Sequence, residues 1–232
     1  MPSSPDLDAR TTAEPALAGR GGAALALIAL ASLAGGVVLM GLLQILPPTS
    51  EISPIRRTIS EYALSESKWL FDLSVGLIAI GSAVAAAAAV RDRLLRPASA
   101  SFVLFSAWVL GLVTIVIFPK TDWSVGPSVG GSIHRFASLL AFLCLPAALV
   151  LAARVVFAHA PAWRRAVQSL GVAAILWFVP ILVAVLVMAA GGPPWWRSIP
   201  LGLVERGLAL TEVLAIATLA LGLYLRPATA PR

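Results

Sequence analysis

The chain has 232 residues, of which 59% are hydrophobic and only 12% charged. A soluble domain carries roughly a quarter of its residues as charges, so this composition excludes an ordinary soluble protein and points to an all-α polytopic membrane protein. The formal net charge of +6 does not imply nucleic-acid binding, because most of the cations sit in short loops beside apolar runs, where they set orientation and meet anionic lipid.

Residues 1–20 are rich in Pro, Ser and Ala with mixed charge and no periodic apolar face. They read as a disordered tail. The acidic residues there, and the length of the run that follows, argue against a cleaved signal peptide. Helix 1 is expected over about Ala23 to Leu46, ended by Pro47 and Pro48. The connector Thr49 to Lys68 carries Ile52, Ile55, Ile59, Tyr62 and Ala63 at helical spacing, which predicts a short interfacial helix. Arg56, Arg57, Ser60 and Glu61 are its polar members.

Helix 2 is expected from about Trp69 to Val90, with Asp72 in its first turn. Gly81, Ala85 and Ala89 form a row of small residues that lets another helix approach closely. That helix could belong to a second copy of the chain or to the same bundle. Arg91, Arg93 and Arg96 follow in a short loop. Helix 3 spans about Ala98 to Phe118 and stops at Pro119, where a helix cannot continue in the ordinary way. Lys120 and Asp122 follow, and Gly126, Pro127, Gly130 and Gly131 predict irregular loop.

His134 and Arg135 open helix 4, about Ile133 to Val156, which contains Pro146. A basic loop with Arg154, His159, Arg164 and Arg165 precedes helix 5, about Ala166 to Ala190, with Pro180 inside it. The segment Gly191 to Trp196 is a turn with an aromatic anchor. Helix 6 runs from about Leu201 to Leu225. The membrane domain is thus residues 21–226, and 227–232 form a second tail.

The dense Arg loops predict that both termini are cytoplasmic, in the cell membrane. On that orientation the odd helices end outward at Pro47, Pro119 and Pro193, and each even helix begins near charged groups, as three hairpins would arrange them.

The outer polar residues allow three readings. Arg56, Arg57, Arg135 and Arg206 could offer forked donors to a lipid headgroup or small anion, with Glu61, Asp72 and Glu205 holding them. A hydrolase would need His134 with Asp72, Asp122 or Glu205 around a metal, or Ser60 or Ser132 as a nucleophile beside His134. An accessory subunit would need neither. Only two histidines occur, on opposite faces of the predicted topology, so no metal is expected. No phosphate loop or dinucleotide fingerprint occurs, so no cofactor is expected. Membrane lipids are the expected partners, a homo-oligomer is left open, and nucleic acid is not expected.

Glu212 lies eleven residues beyond Leu201, roughly 16 Å along a helix and about half of a ~30 Å hydrocarbon core. It is expected to face the bundle, neutral or paired. With Glu205 two turns earlier on the same face, and Thr211 alongside, it could continue a polar track inward.

Ile59-Ser60-Glu61-Tyr62-Ala63, Phe118-Pro119 followed by Asp122, His134-Arg135, and Gly202-Leu203-Val204-Glu205-Arg206 resemble, in order and position, the bacterial membrane family known as domain of unknown function 998. The likeness covers about Ala23 to Leu225. It implies six membrane helices and no activity, and it points to Ser60, Glu61, Asp122, His134, Glu205 and Arg206.

Overall fold

The computed structural model describes residues 5–226, with side chains described from residue 21 onward. The described residues contain eight α-helices and no strand. They are α1 (Pro5–Ile45), α2 (Lys68–Arg91), α3 (Ala100–Ile117), α4 (Val129–Val156), α5 (Pro161–Leu176), α6 (Val179–Ala189), α7 (Trp195–Ser198) and α8 (Leu201–Tyr224). Six stretches are long and apolar enough to cross a membrane: Gly21–Ile45, α2, α3, α4, α5 with α6, and α8. The protein is a multi-pass membrane protein. Residues 1–4 and 227–232 of the two expected tails lie outside the described residues, and the backbone of 5–20 belongs to α1.

The apolar runs form helices because backbone N–H and C=O groups in hydrocarbon have no partner except each other. Their ends follow local chemistry. The Ser99 hydroxyl caps α3 by accepting from the Phe102 N–H at 3.4 Å. Ser128 caps α4 by accepting from the Gly131 N–H at 3.0 Å. This cap starts α4 four residues earlier than expected and draws Gly130 and Gly131 out of the predicted loop into its first turns. Gly131 lies so close to the Thr121 backbone that a Cβ would overlap it.

Helix 5 is two helices. The break falls at Trp177 and Phe178. Pro180 has no N–H to give the Leu176 carbonyl, so the α-helical ladder ends there. Arg164 and Arg165 belong to the first turns of α5 rather than to a loop. Pro146, by contrast, lies inside a continuous α4.

The strongest packing is between successive spans: α1 with α2, α3 with α4, and α5 with α8. These are three hairpins, as the proline and charge positions suggest. Contacts of α2 with α3, α4 with α5 and α1 with α8 close them into a ring. Helix α8 also touches α2 and α4, so it is the helix most shared by the others. The small row of α2 faces α1 of the same chain: a Cβ at Gly81 would meet Leu33 and the Ala29 carbonyl, and Ala85 and Ala89 are buried. Its role is internal packing. Large apolar side chains such as Ile28, Val38, Leu110, Phe136 and Leu186 remain exposed, the surface a lipid-facing bundle requires.

The connector is not the interfacial helix its spacing predicts. It forms two 3₁₀ turns, Thr49–Glu51 and Ile59–Leu64, on either side of Pro54. Tyr62 and Ala63 are buried, while Ile55 is exposed. Tertiary bonds to its backbone override the helical pattern.

Candidate functional site

Three loops lie at one end of the bundle, called the rim: residues 46–67, 118–128 and 190–200. The first is fastened by α8. The Leu203 N–H donates to the Ile55 carbonyl at 3.1 Å. The next two charged residues of α8 then divide the work. Glu205 Oε2 accepts from the Ile59 N–H at 2.6 Å. Arg206 donates from Nε to Gln44 Oε1 at 2.9 Å, and from Nη1 to the carbonyls of Pro54 (2.9 Å), Arg57 (2.7 Å) and Gly202 (3.1 Å). Its Nη2 donates to the Tyr62 hydroxyl at 3.0 Å, with the guanidinium 5.7 Å from the Tyr62 ring centroid. Gly202 is the residue that lets this happen, since a Cβ there would strike the Arg57 and Pro54 carbonyls.

A second group lies beside it. Glu61 sits between two cations: Oε1 is 3.2 Å from Arg57 Nη1, and Oε2 is 3.2 Å from Lys120 Nζ. Lys120 also donates to Thr58 Oγ1 at 3.1 Å, and the Thr58 and Ser60 hydroxyls are 3.1 Å apart. Lys120 thereby ties the loop after α3 to the connector. Its neighbours in the electrostatic sense include Glu205.

The remaining expected residues make their hydrogen bonds and ion pairs outside these two groups. Asp72 pairs with Lys68 one turn earlier on α2, and Lys68 also donates to the Val116 carbonyl at the end of α3. Asp72 Oδ1 is buried without a hydrogen-bond partner. His134 is 4% exposed. Its Nδ1 lies 2.7 Å from the Phe118 carbonyl, so that nitrogen carries the proton and donates, while Nε2 is buried and unpartnered. Arg56 and Arg135 are exposed. Asp122 is exposed too, and it accepts from the Ser124 hydroxyl (2.7 Å) and N–H (2.9 Å). Those two donors hold its carboxyl below the usual aspartate range, with the hydroxyl contributing more.

The expected cluster of arginines is therefore not assembled. Arg206 spends its donors on five oxygens of its own chain, and Arg135 is exposed and has no part in those bonds. The inward track is not continuous either. Thr211 donates to the Gly207 carbonyl at 2.6 Å and accepts from Trp177 Nε1 at 3.1 Å, so it serves the contact with α5. Between Glu205 and Glu212 stands Leu208, which is buried. The nucleophile readings find no geometry: Ser60 meets Thr58, Ser132 donates to the Ser128 carbonyl, and His134 is committed to Phe118. Among the described residues no three His, Cys, Asp or Glu gather as a metal site.

A cleft of about 650 Å³ opens between the connector and the loop after α3. Its charged lining is Glu51, Arg57, Glu61 and Asp122; Trp123, Ile52 and Leu64 supply apolar walls. Glu51 and Trp123 join this lining. Neither has a motif around it, and only the fold of the connector brings them to one opening. Lys120, one of the few charges in its loop, and Gln44 and Tyr62 owe their part in the network to tertiary contacts that no local motif signals.

The architecture defines a six-span helical membrane protein with a fastened connector and a polar cleft at one rim. The family model described as a protein of unknown function (DUF998) matches residues 34–222, and the chain belongs to that family. No curated protein and no solved structure matches it.

Proposed function

We propose that the protein is a membrane-embedded binding protein whose rim cleft receives the zwitterionic headgroup of a phospholipid. The observation that carries this reading is the pairing of charges in the cleft. Three carboxylates, from Glu51, Glu61 and Asp122, face one lining guanidinium, Arg57. Glu61 is already shared between Arg57 and Lys120. A free small anion would meet a majority of negative groups, so the original expectation narrows. A headgroup bearing both a phosphate and an ammonium matches better. The Arg57 side chain is 67% exposed and engages Glu61 through one nitrogen, leaving donors for a phosphate. Asp122 and Glu51 suit an ammonium, and Trp123, 67% exposed, offers a face for cation–π contact. The rim location supports a lipid source, since headgroups occupy the level at which the spans end.

The test is competitive retention in mixed bilayers. Protein reconstituted in nanodiscs of phosphatidylethanolamine and phosphatidylglycerol, then examined by native mass spectrometry, should keep phosphatidylethanolamine in preference. Arg57→Ala should weaken that retention by roughly tenfold, the effect of losing a charge-assisted hydrogen bond of ~1.5 kcal/mol. Preferential retention of phosphatidylglycerol, or no change in Arg57→Ala, overturns the reading.

A further inference from the structure

Helix α8 turns one face to the centre of the bundle, through Val204, Leu208, Glu212, Ile216 and Leu219. Four of the five are aliphatic. The fifth, Glu212, is 0% exposed, and both its carboxyl oxygens are buried without a hydrogen-bond partner. An ionised carboxylate so placed would be extremely costly unless paired.

No pairing group stands at its level. Helix α8 packs on α1, α2, α4, α5 and the 3₁₀ turn Ile59–Leu64. From Gly21 to Ile45, α1 has no ionisable side chain. Helix α2 has none between Asp72, at the rim, and Arg91, at the opposite end. Helix α4 has only the Cys144 thiol between Arg135 and Arg154, and α5 has none after Arg165. The turn contributes Glu61 and Tyr62, both at the rim and both bonded there. On α8 itself Glu205 and Arg206 lie two turns away and are fastened to the connector. A bound metal cation would need several ligands; among the described residues no three His, Cys, Asp or Glu gather to supply them. What remains to neutralise the carboxylate is a proton.

We propose that Glu212 is a proton-binding site in the membrane interior, holding one proton in the closed bundle and exchanging it with solvent when the helices part. The four aliphatic neighbours on the same stripe indicate what packing alone would place there. An acid whose O–H and C=O both lack partners is a poor packing residue, and its distinguishing property is that it can lose a proton. This inference is independent of the headgroup cleft, and its test does not use lipid binding.

The experiment is infrared spectroscopy of the full chain in detergent at neutral pH. Wild type should show the C=O stretch of a protonated carboxylic acid, absent from Glu212→Gln. After transfer into D2O that band should shift to lower frequency, because the acid proton has exchanged. Absence of the band means that Glu212 is ionised, and a band that never shifts means a sealed structural acid. Either result overturns the proposal. Should Glu212→Gln fail to fold, wild type is treated with dicyclohexylcarbodiimide. The acid adds across one N=C bond of the reagent, its proton going to nitrogen and its oxygen to carbon, and rearranges to a stable N-acylurea with no leaving group. The adduct should map to the Glu212 peptide and remove the exchanging band. An exchanging band that survives belongs to another acid and overturns the assignment.

Discussion

Arg206 and Arg135 bring the same group to the same rim and use it in opposite ways. Arg206 distributes its N–H groups over five oxygens of its own chain, whereas Arg135 is exposed. The planar fork of arginine matters here, because a lysine ammonium offers three donors from one point and cannot span partners this far apart. Arg206→Lys should therefore lower stability by about 1–3 kcal/mol, since the half-buried Gln44, the buried Tyr62 and the carbonyls of the connector lose donors worth ~0.5–1.5 kcal/mol each. Arg135→Ala should stay within about 0.5 kcal/mol. Thermal unfolding of both variants in the same detergent measures the contrast. Equal effects would mean that the Arg206 clamp contributes nothing beyond a surface charge.

At the scale of elements, the connector illustrates how backbone bonds overrule side-chain periodicity. Its isoleucines and Tyr62 follow a helical pattern, yet Pro54 interrupts it and α8 captures the carbonyls of Pro54, Ile55 and Arg57. The hinge of this capture is Gly202, whose missing side chain makes room for two of those carbonyls. Gly202→Ala should push the connector off α8, lower the melting temperature and open residues 46–67 to proteolysis. Gly41→Ala is the matched control. It also lies within a span, but nothing comes within 4 Å of its added Cβ, and alanine favours a helix over glycine by ~1 kcal/mol. That variant should be neutral or slightly more stable. If the two behave alike, the close approach at Gly202 has no energetic weight.

For the whole molecule, the bundle fixes which loops share an end but not which side of the membrane that end faces. Arg91, Arg93 and Arg96, around the end of α2, and Arg154, Arg164 and Arg165, at the facing ends of α4 and α5, lie at the end opposite the rim. Short basic segments tend to stay on the cytoplasmic side, so the expected orientation has the rim facing outward. A cysteine at Ser128 should react with a membrane-impermeant thiol reagent in intact cells, and one at Ala162 should react only after lysis. Cys144 is buried and should remain silent in both. The reverse pattern would turn the cleft and the connector toward the cytoplasm.

The amino-acid sequence by itself determined the class, the six spans, the hairpin order and the depth of Glu212. These depend on hydrophobicity, proline and length, which act locally and are strong in a solvent that cannot bond to the backbone. It also marked most of the rim residues, through the family pattern around Glu61, His134, Glu205 and Arg206. Tertiary structure alone decided what those residues touch. Whether Arg206 would greet a ligand or hold the Pro54 and Arg57 carbonyls depends on where the connector lands, over a sequence separation of roughly 150 residues. The same is true of Glu51, Asp122 and Trp123, which share a cleft between two loops that Lys120 ties together through Glu61 and Thr58. The isolation of Glu212 follows the same logic. Its depth is a count along one helix, but its lack of partners depends on four other helices being apolar at the same level, a property of their packing together.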